Sequence, residues 1–238
     1  MLNHVVRYEP VVALIEPLPA VSLLEVGSGS RGISRYLHAP LDVTACDLSF
    51  DDYGSDNPGD GGGVARVTAS VLALPFADGE FDVVLALDLV EHLAPGDREP
   101  AIRELVRVGR VAVIVGCPTG AAALRADQRL AAYIRRLRRP LPGWLEEHLE
   151  NGFPTPDELV RWMDPADTVI ANERIRAHAV ICALEATPLL ARAPLALASL
   201  LSPRLRSPRV RRLVRALRGR DRGPTYRTIV VRLGGAGT

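Results

Sequence analysis

A chain of 238 residues with a formal net charge of +1 has room for one large α/β domain, and two complete domains would be cramped. Apolar residues make up 47% of it and charged residues 24%, which excludes a disordered chain and a bundle of membrane-spanning helices. The three cysteines, Cys46, Cys117 and Cys182, lie far apart without a CxxC pair, so neither a disulfide framework nor a metal site is predicted. The segment 1–19 lacks the basic start and unbroken apolar run of a signal peptide, and a cytoplasmic location is expected.

The first half of the chain alternates short apolar runs with helical patterns. The predicted strands are 21–26, 41–47, 64–69, 81–88 and 110–118, with helices at 33–39 and 98–108 between them. This alternation is typical of an open, doubly wound α/β fold, in which helices cover both faces of a mostly parallel sheet.

The second half departs from that alternation. A helix over 121–139 stops at Pro140, and a further helix is capped near Thr155 or Asp157. Strand six is predicted over 167–177 and the last strand over 226–233. With no internal repeat, residues 1–238 are expected to form a single domain.

The stretch "LLEVGSGSRG", residues 23–32, joins strand one to a glycine turn. Its glycines spell GxGxxG, the dinucleotide fingerprint, but that match alone is weak. Glu25 stands two residues before Gly27, where a carboxylate would repel a pyrophosphate and attract an ammonium group. Asp47, at the end of strand two, is placed to accept hydrogen bonds from ribose hydroxyls. The alternative is that Glu25 and Asp47 are merely solvated strand ends.

A longer stretch makes the assignment more specific. Residues 67–93, "VTASVLALPFADGEFDVVLALDLVEHL", together with "LLEVGSGSRG" and "VTACDLS", resemble the class I S-adenosylmethionine-dependent methyltransferases, in particular small-molecule enzymes of the type 11 kind. The resemblance covers about residues 20–118. It implies a Rossmann-like seven-stranded sheet, mostly parallel with an antiparallel last strand. It also implies that residues 119–165 are an insertion on the acceptor side. The apolar and arginine-rich residues 178–223 are expected to form a second, helical insertion before the last strand.

The resemblance also implies a set of donor-binding residues. The methionine end of S-adenosylmethionine would lie against Glu25 and the turn, the ribose at the end of strand two, and the adenine on the loop after strand three. The residues so assigned are Glu25, Gly27, Ser28, Gly29, Asp47, Leu48, Ser70, Val71, Leu72 and Asp88. Two positions depart from the family pattern: Arg31 replaces a glycine, which is displaced to Gly32, and Ser70 replaces an aspartate.

Methyl transfer requires an aligned acceptor and exclusion of water, so no metal is expected. An oxygen acceptor would benefit from a general base, for which Asp88, His92 and His148 are the candidates. His92 would share a helix face with Asp88 if "LVEHL" begins a helix. The alternatives are that His92 packs or caps that helix, and that His148 holds Glu147 or a backbone carbonyl.

The predicted acceptor is a small molecule, a glycan or a lipid-linked acceptor, methylated at oxygen. The arginine-rich segment 204–222 carries nine arginines and predicts an amphipathic helix that contacts an anionic inner-membrane surface or covers the fold with its apolar face. Nucleic acid is not expected, since the arginines lack interleaved aromatic residues. Two alternative functions stay open at this point: an NAD-type oxidoreductase, and a catalytically silent protein that keeps the donor fold.

Overall fold

The computed structural model describes residues 2–29, 32–37, 41–50, 64–164, 167–188, 190–201, 207–218 and 224–234. Its strands form one sheet and are β1 Ser22–Val26, β2 Asp42–Asp47, β3 Ala65–Thr68, β4 Phe81–Leu87, β5 Gly109–Pro118, β6 Thr168–Arg174 and β7 Thr225–Leu233. Their order across the sheet is β3-β2-β1-β4-β5-β7-β6. β1 to β5 pair in parallel, whereas β7 is antiparallel to β5 and β6. The predicted seven-stranded, mostly parallel α/β sheet with an antiparallel last strand is confirmed.

Helices cover both faces of this sheet. They are α1 Leu2–Ile15, α2 Arg98–Val108, α3 Gly120–Arg136, α4 Gly143–Asn151, α5 Pro156–Met163, α6 Ile175–Ala186, α7 Arg192–Leu201 and α8 Pro208–Arg218. Alternation along the strands divides the core, so that Leu23 of β1 packs in the layer of α1 and its neighbour Leu24 packs in the layer of α2 and α5. None of the helices in the described ranges is both long and apolar enough to cross a bilayer.

Local sequence signals placed several boundaries well. The hydroxyl of Thr155 accepts the amide of Glu158, and the carboxylate of Glu158 accepts the amide of Thr155, so α5 begins with a capping box. The predicted cap at Thr155 is therefore confirmed. α2 spans the predicted residues 98–108.

The helix predicted over 33–39 is wrong. The chain makes only a 3₁₀ turn, Ile33–Arg35, and the end of the predicted helix lies outside the described residues. Tertiary contacts hold the chain at this turn: the amide of Ile33 donates to Oε2 of Glu25, and the ring of Tyr36 stacks on that of Tyr8 in α1, with centroids 4.9 Å apart. The sequence did not predict α1.

α8 lies within the arginine-rich segment. Val214 is fully buried, and α8 packs against α1 through two ion pairs, Arg211 with Glu16 at 2.7 Å and Arg215 with Glu9 at 3.0 Å. This geometry favours the covering role for α8. Membrane contact through 204–222 stays a prediction, and residues 204–206 and 219–222 lie outside the described ranges.

Candidate active site

The glycine turn after β1 is fastened to the end of β2. The amide of Gly27 donates to the carbonyl of Cys46 at 2.8 Å, and the amide of Gly29 donates to Oδ2 of Asp47 at 2.8 Å. Gly27 has a φ of +72°, in the left-handed region that favours glycine, and an added Cβ would lie 3.1 Å from the side chain of Leu89. The turn and the Asp47 carboxylate therefore form one unit, which also includes the buried Ser28.

Glu25 is not a solvated strand end, because only 2% of its surface is exposed. Its Oε1 accepts the hydroxyl of Tyr8 at 2.9 Å and its Oε2 accepts the amide of Ile33 at 2.6 Å. Burial raises the pKa of Glu25 to about 7, although both hydrogen bonds and the charge of Arg7 oppose the rise. A Cβ at Gly32 would collide with Oε2, so glycine at this position makes room for the carboxylate. Arg31, which replaces the glycine of the family pattern, lies outside the described residues.

The residues predicted to bind the ribose and the adenine lie side by side at the ends of β2 and β3. Asp47 is paired with Thr68 in the sheet register, and the amide of Ala69 donates to the carbonyl of Asp47 at 3.0 Å. Oδ1 of Asp47 accepts the amide of the exposed Leu48 at 2.7 Å. In the following loop, Oγ of Ser70 accepts the amide of Leu72 at 3.2 Å.

The two apolar side chains of the loop after β3 differ in exposure: Val71 is buried and Leu72 is exposed. The predicted donor residues thus occupy one edge of the sheet, at the carboxyl ends of β1, β2, β3 and β4.

Asp88, which follows β4, is clamped between two arginines. Oδ2 accepts Nη1 of Arg7 at 2.7 Å, while Nε and Nη2 of Arg227 donate to Oδ1 and Oδ2 at 2.6 and 2.7 Å. Burial alone would raise the pKa of Asp88, but Arg227 and Arg7 outweigh it and hold the pKa well below its usual range. Both oxygens are engaged and the group stays ionised, which favours a positioning role over proton transfer.

A cavity of about 500 Å³ opens beside Asp88. It is bounded by α1, the 3₁₀ turn Val90–His92, helices α3, α4 and α6, and the start of β7. Side chains that line it include Arg7, Asp88, Glu91, His92, Leu130, Ile134, Leu141, Trp144, His148, His178, Cys182, Tyr226 and Arg227. A volume of this size accommodates one small organic molecule.

The structure brings His92 and His148 together although 56 positions separate them: their ring centroids are 4.9 Å apart. Nδ1 of His92 lies 2.5 Å from Oε2 of Glu147, and Nδ1 of His148 lies 2.7 Å from Oδ2 of Asp127. Burial lowers the pKa of His92, and the nearby His148 lowers it further. Each ring is therefore oriented by a carboxylate at Nδ1, with Nε2 as its remaining nitrogen.

The expected helical alignment of His92 with Asp88 is wrong. Asp88 has a φ of +52° and lies outside the short 3₁₀ turn Val90–His92, so the two do not share a helix face. They meet instead as neighbours on the wall of the cavity.

Several residues of this region were missed by sequence reasoning. Glu91 is completely buried, and burial followed by the charge of Asp88 raises its pKa well above the usual range. Arg227 is 1% exposed and also pairs with Glu173 at 2.6 Å. An arginine inside the apolar run "YRTIVVRL" was the available signal for a buried charge. Nothing local distinguished Tyr8 or Asp127.

Comparisons with known proteins agree with this arrangement. Residues 24–112 match a family model described as "Methyltransferase domain". A curated relative, the chloroplastic tocopherol O-methyltransferase of Arabidopsis thaliana, is 26% identical over 128 residues, which are 49% of this chain. The match spans 36% of that relative's length.

Two solved structures share the fold over nearly the whole chain. One, described as a methyltransferase from an antibiotic biosynthesis pathway of Anabaena variabilis, superposes with a TM-score of 0.56 at 18% identity and covers 96% of this chain and 98% of its own. The other is phospholethanolamine N-methyltransferase 2 of Haemonchus contortus, in complex with phosphomonomethylethanolamine and S-adenosylhomocysteine. Its TM-score is 0.58 at 13% identity, covering 95% of this chain and 52% of its own. The resemblance predicted from the motifs is confirmed.

Proposed function

We propose that this chain, which carries a class I S-adenosylmethionine-dependent methyltransferase domain, transfers the donor's methyl group to a hydroxyl oxygen of a small molecule held in the cavity beside Asp88. The donor is S-adenosylmethionine. Oxygen is proposed as the acceptor atom because His92 and His148 line that cavity, each with a carboxylate at Nδ1. A hydroxyl becomes a good nucleophile only as it loses its proton, and oriented imidazoles favour that loss.

The donor is assigned to the carboxyl edge of β1 to β3. The ammonium group of its methionine end would meet Glu25, and the turn Gly27–Gly29 lets the donor approach the backbone closely. Asp47 would accept the ribose hydroxyls, and the loop Ser70–Leu72 would hold the adenine. Asp88, at the end of the adjacent β4, would stand between donor and acceptor, since it also lines the cavity.

Acceptor recognition is assigned to the predicted insertion 119–165 and the start of 178–223. Leu130, Ile134 and Trp144 give the cavity an apolar wall. Arg7 and Arg227 are among the charged side chains that line it. An apolar wall with a few polar groups suits a ring or chain that bears a hydroxyl. The acceptor of the Arabidopsis relative, as its name states, is tocopherol, methylated at oxygen. A glycan or lipid-linked glycan would fit if only its end group entered a cavity of about 500 Å³.

The test has two stages. First, purified protein is titrated with S-adenosylhomocysteine and, separately, with NAD in a calorimeter; binding of the first alone is expected. Second, the protein is incubated with methyl-labelled donor and a panel of phenols, alkyl glycosides, glycolipids and amines, and the methylated atom of any product is identified by NMR.

We expect His92→Asn and His148→Asn to lose transfer while still binding S-adenosylhomocysteine. Glu146→Gln, an exposed neighbour on α4, should retain both and serves as the matched control. Methylation at nitrogen only would contradict the choice of oxygen. Donor binding without turnover on any acceptor would favour the catalytically silent alternative.

A further inference from the structure

Three potential metal ligands converge in the wall of the cavity. Glu91 and His92 lie on the 3₁₀ turn after β4, and His148 lies on α4. One ligand atom from each, a carboxylate oxygen or an imidazole nitrogen, falls within 4.8 Å of the others. Two ligand atoms on a tetrahedral zinc ion lie about 3.4 Å apart, so the most distant pair of these atoms must close by up to about 1.4 Å to complete the set.

Glu91 is the least explained polar side chain of this region. None of its surface is exposed, and neither carboxylate oxygen has a hydrogen-bond partner in another described residue. Nε2 of His148 is likewise buried without such a partner, 3.9 Å from Oε1 of Glu91. Buried polar atoms are seldom left unsatisfied, because they lose their hydrogen bonds to water without gaining a replacement contact. A cation between these atoms would satisfy both.

The histidines are already arranged as metal ligands are. A metal-binding imidazole commonly donates its second N–H to a carboxylate, which fixes the ring and its tautomer. Glu147 stands at Nδ1 of His92, and Asp127 stands at Nδ1 of His148. Asp127 is itself held by the hydroxyl of Tyr226, at 3.0 and 2.9 Å from its two oxygens. This support leaves Nε2 of each ring for the metal.

We propose that Glu91, His92 and His148 bind one divalent transition-metal ion, of which Zn²⁺ is the probe to use first. Two imidazoles and one carboxylate suit Zn²⁺ and similar ions better than Mg²⁺ or Ca²⁺, which take oxygen ligands. Three protein ligands leave coordination positions open, as in catalytic zinc sites, and all three residues line the cavity.

The role of the ion rests on the proposed function. An acceptor hydroxyl that enters an open position would coordinate through oxygen, and the ion would lower the pKa of that hydroxyl so that the proton leaves to solvent before the oxygen attacks the methyl carbon. The carbon–sulfur bond breaks as the carbon–oxygen bond forms, and the electron pair stays on sulfur. The histidines then act as ligands and not as bases. Metal binding itself does not depend on the reaction and is measured separately.

Protein freed of metal with a chelator is dialysed against ZnCl₂ and, in parallel, MnCl₂, MgCl₂ and CaCl₂, and bound metal is counted by mass spectrometry. We expect one zinc ion per chain and an increased melting temperature. Glu91→Gln and His148→Asn should lose the ion. Glu147→Gln should weaken affinity by about tenfold or more, because it removes the support of His92.

Two controls keep the result specific. Glu146→Gln, also on α4, should bind zinc normally. Cys182→Ser should as well, although Cys182 lies 3.4 Å from His178 in the same cavity and could hold zinc itself. Circular dichroism of each variant distinguishes loss of zinc binding from unfolding. If Glu91→Gln or His148→Asn unfolds, His92→Asn is measured in its place.

The proposal is overturned if the wild type takes up no zinc, if Glu91→Gln and His148→Asn keep it, or if Cys182→Ser loses it. A titration with S-adenosylhomocysteine on the same samples separates the two proposals. Donor binding and methyl transfer at full rate without metal would remove the catalytic role of the ion and leave the proposed function intact.

Discussion

The hydroxyl of Tyr8 donates a 2.9 Å hydrogen bond to the buried carboxylate of Glu25, and this contact joins α1 to the strand that precedes the glycine turn. The amide of Ile33 completes the arrangement from the other side. Because burial raises the pKa of Glu25 to about 7, a residue assigned to the donor's ammonium group changes charge near neutral pH.

Donor affinity should therefore increase with pH. The ammonium group of S-adenosylhomocysteine favours ionised Glu25, which makes up about a tenth of the population one unit below its pKa and about nine tenths one unit above it. Between about pH 6 and pH 8 the dissociation constant should fall by up to about tenfold. Calorimetric titrations across this range test the effect, and Glu25→Gln should flatten it. An equally steep dependence in the variant would assign the titration to another group.

Folding stability should change in the opposite direction. The folded-state pKa of Glu25, about 7, exceeds the ordinary 4.5, so its contribution to stability is complete below the lower value and is lost as pH rises through the higher one. Relative to Glu25→Gln, the wild type should lose about 3 kcal/mol of unfolding free energy between about pH 4 and pH 8. Urea unfolding of both proteins measures this difference. Glu25→Ala is a poorer probe, because it also leaves a cavity beneath Tyr8.

Tyr8→Phe should raise the pKa of Glu25 further. The hydroxyl stabilises the ionised carboxylate, and its loss costs about 1 kcal/mol or somewhat more for a hydrogen bond to a charged group. The midpoint of the pH dependence of donor binding should move up and affinity at neutral pH should fall. An unchanged midpoint would show that Tyr8 does not set the charge of Glu25.

Arg227→Met should be among the most destabilising single changes. It would leave the carboxylates of Asp88 and Glu173 without their shared buried partner, at a cost of about 3–5 kcal/mol. Arg103→Met, which breaks an exposed ion pair with Glu99 on α2, should cost at most about 0.5 kcal/mol. Urea unfolding of both variants provides the comparison. Equal losses would mean that the buried network contributes no more than a surface pair.

Thr155→Ala should destabilise α5 and the chain by about 1 kcal/mol, because the capping box loses its hydroxyl. Thr168→Ala, at an exposed position of β6, supplies the control. Thermal unfolding distinguishes the two, and a cost no larger at Thr155 than at Thr168 would contradict the cap.

Periodic features were accessible from the sequence because they depend on neighbours in the chain. Alternating apolar runs predicted the parallel strands, the cap signal at Thr155 predicted the start of α5, and "LLEVGSGSRG" with "LPFADGEFD" predicted the methyltransferase domain. Its donor residues were placed on one sheet edge because parallel strands end there together. Their roles remain predictions for the experiments above.

Tertiary structure decided what depends on residues distant in sequence. α1, with Arg7 and Tyr8, packs beside the turn where a helix over 33–39 was predicted, and the hydroxyl of Tyr8 binds Glu25, which is buried instead of solvated. Asp88 met Arg227 across 139 positions. The convergence of Glu91, His92 and His148 was not predicted, because the expectation of no metal rested on the absence of cysteine pairs and on the requirements of methyl transfer. Burial and charge pairing depend on contacts between residues that are distant in the chain, and the local sequence pattern does not determine those contacts.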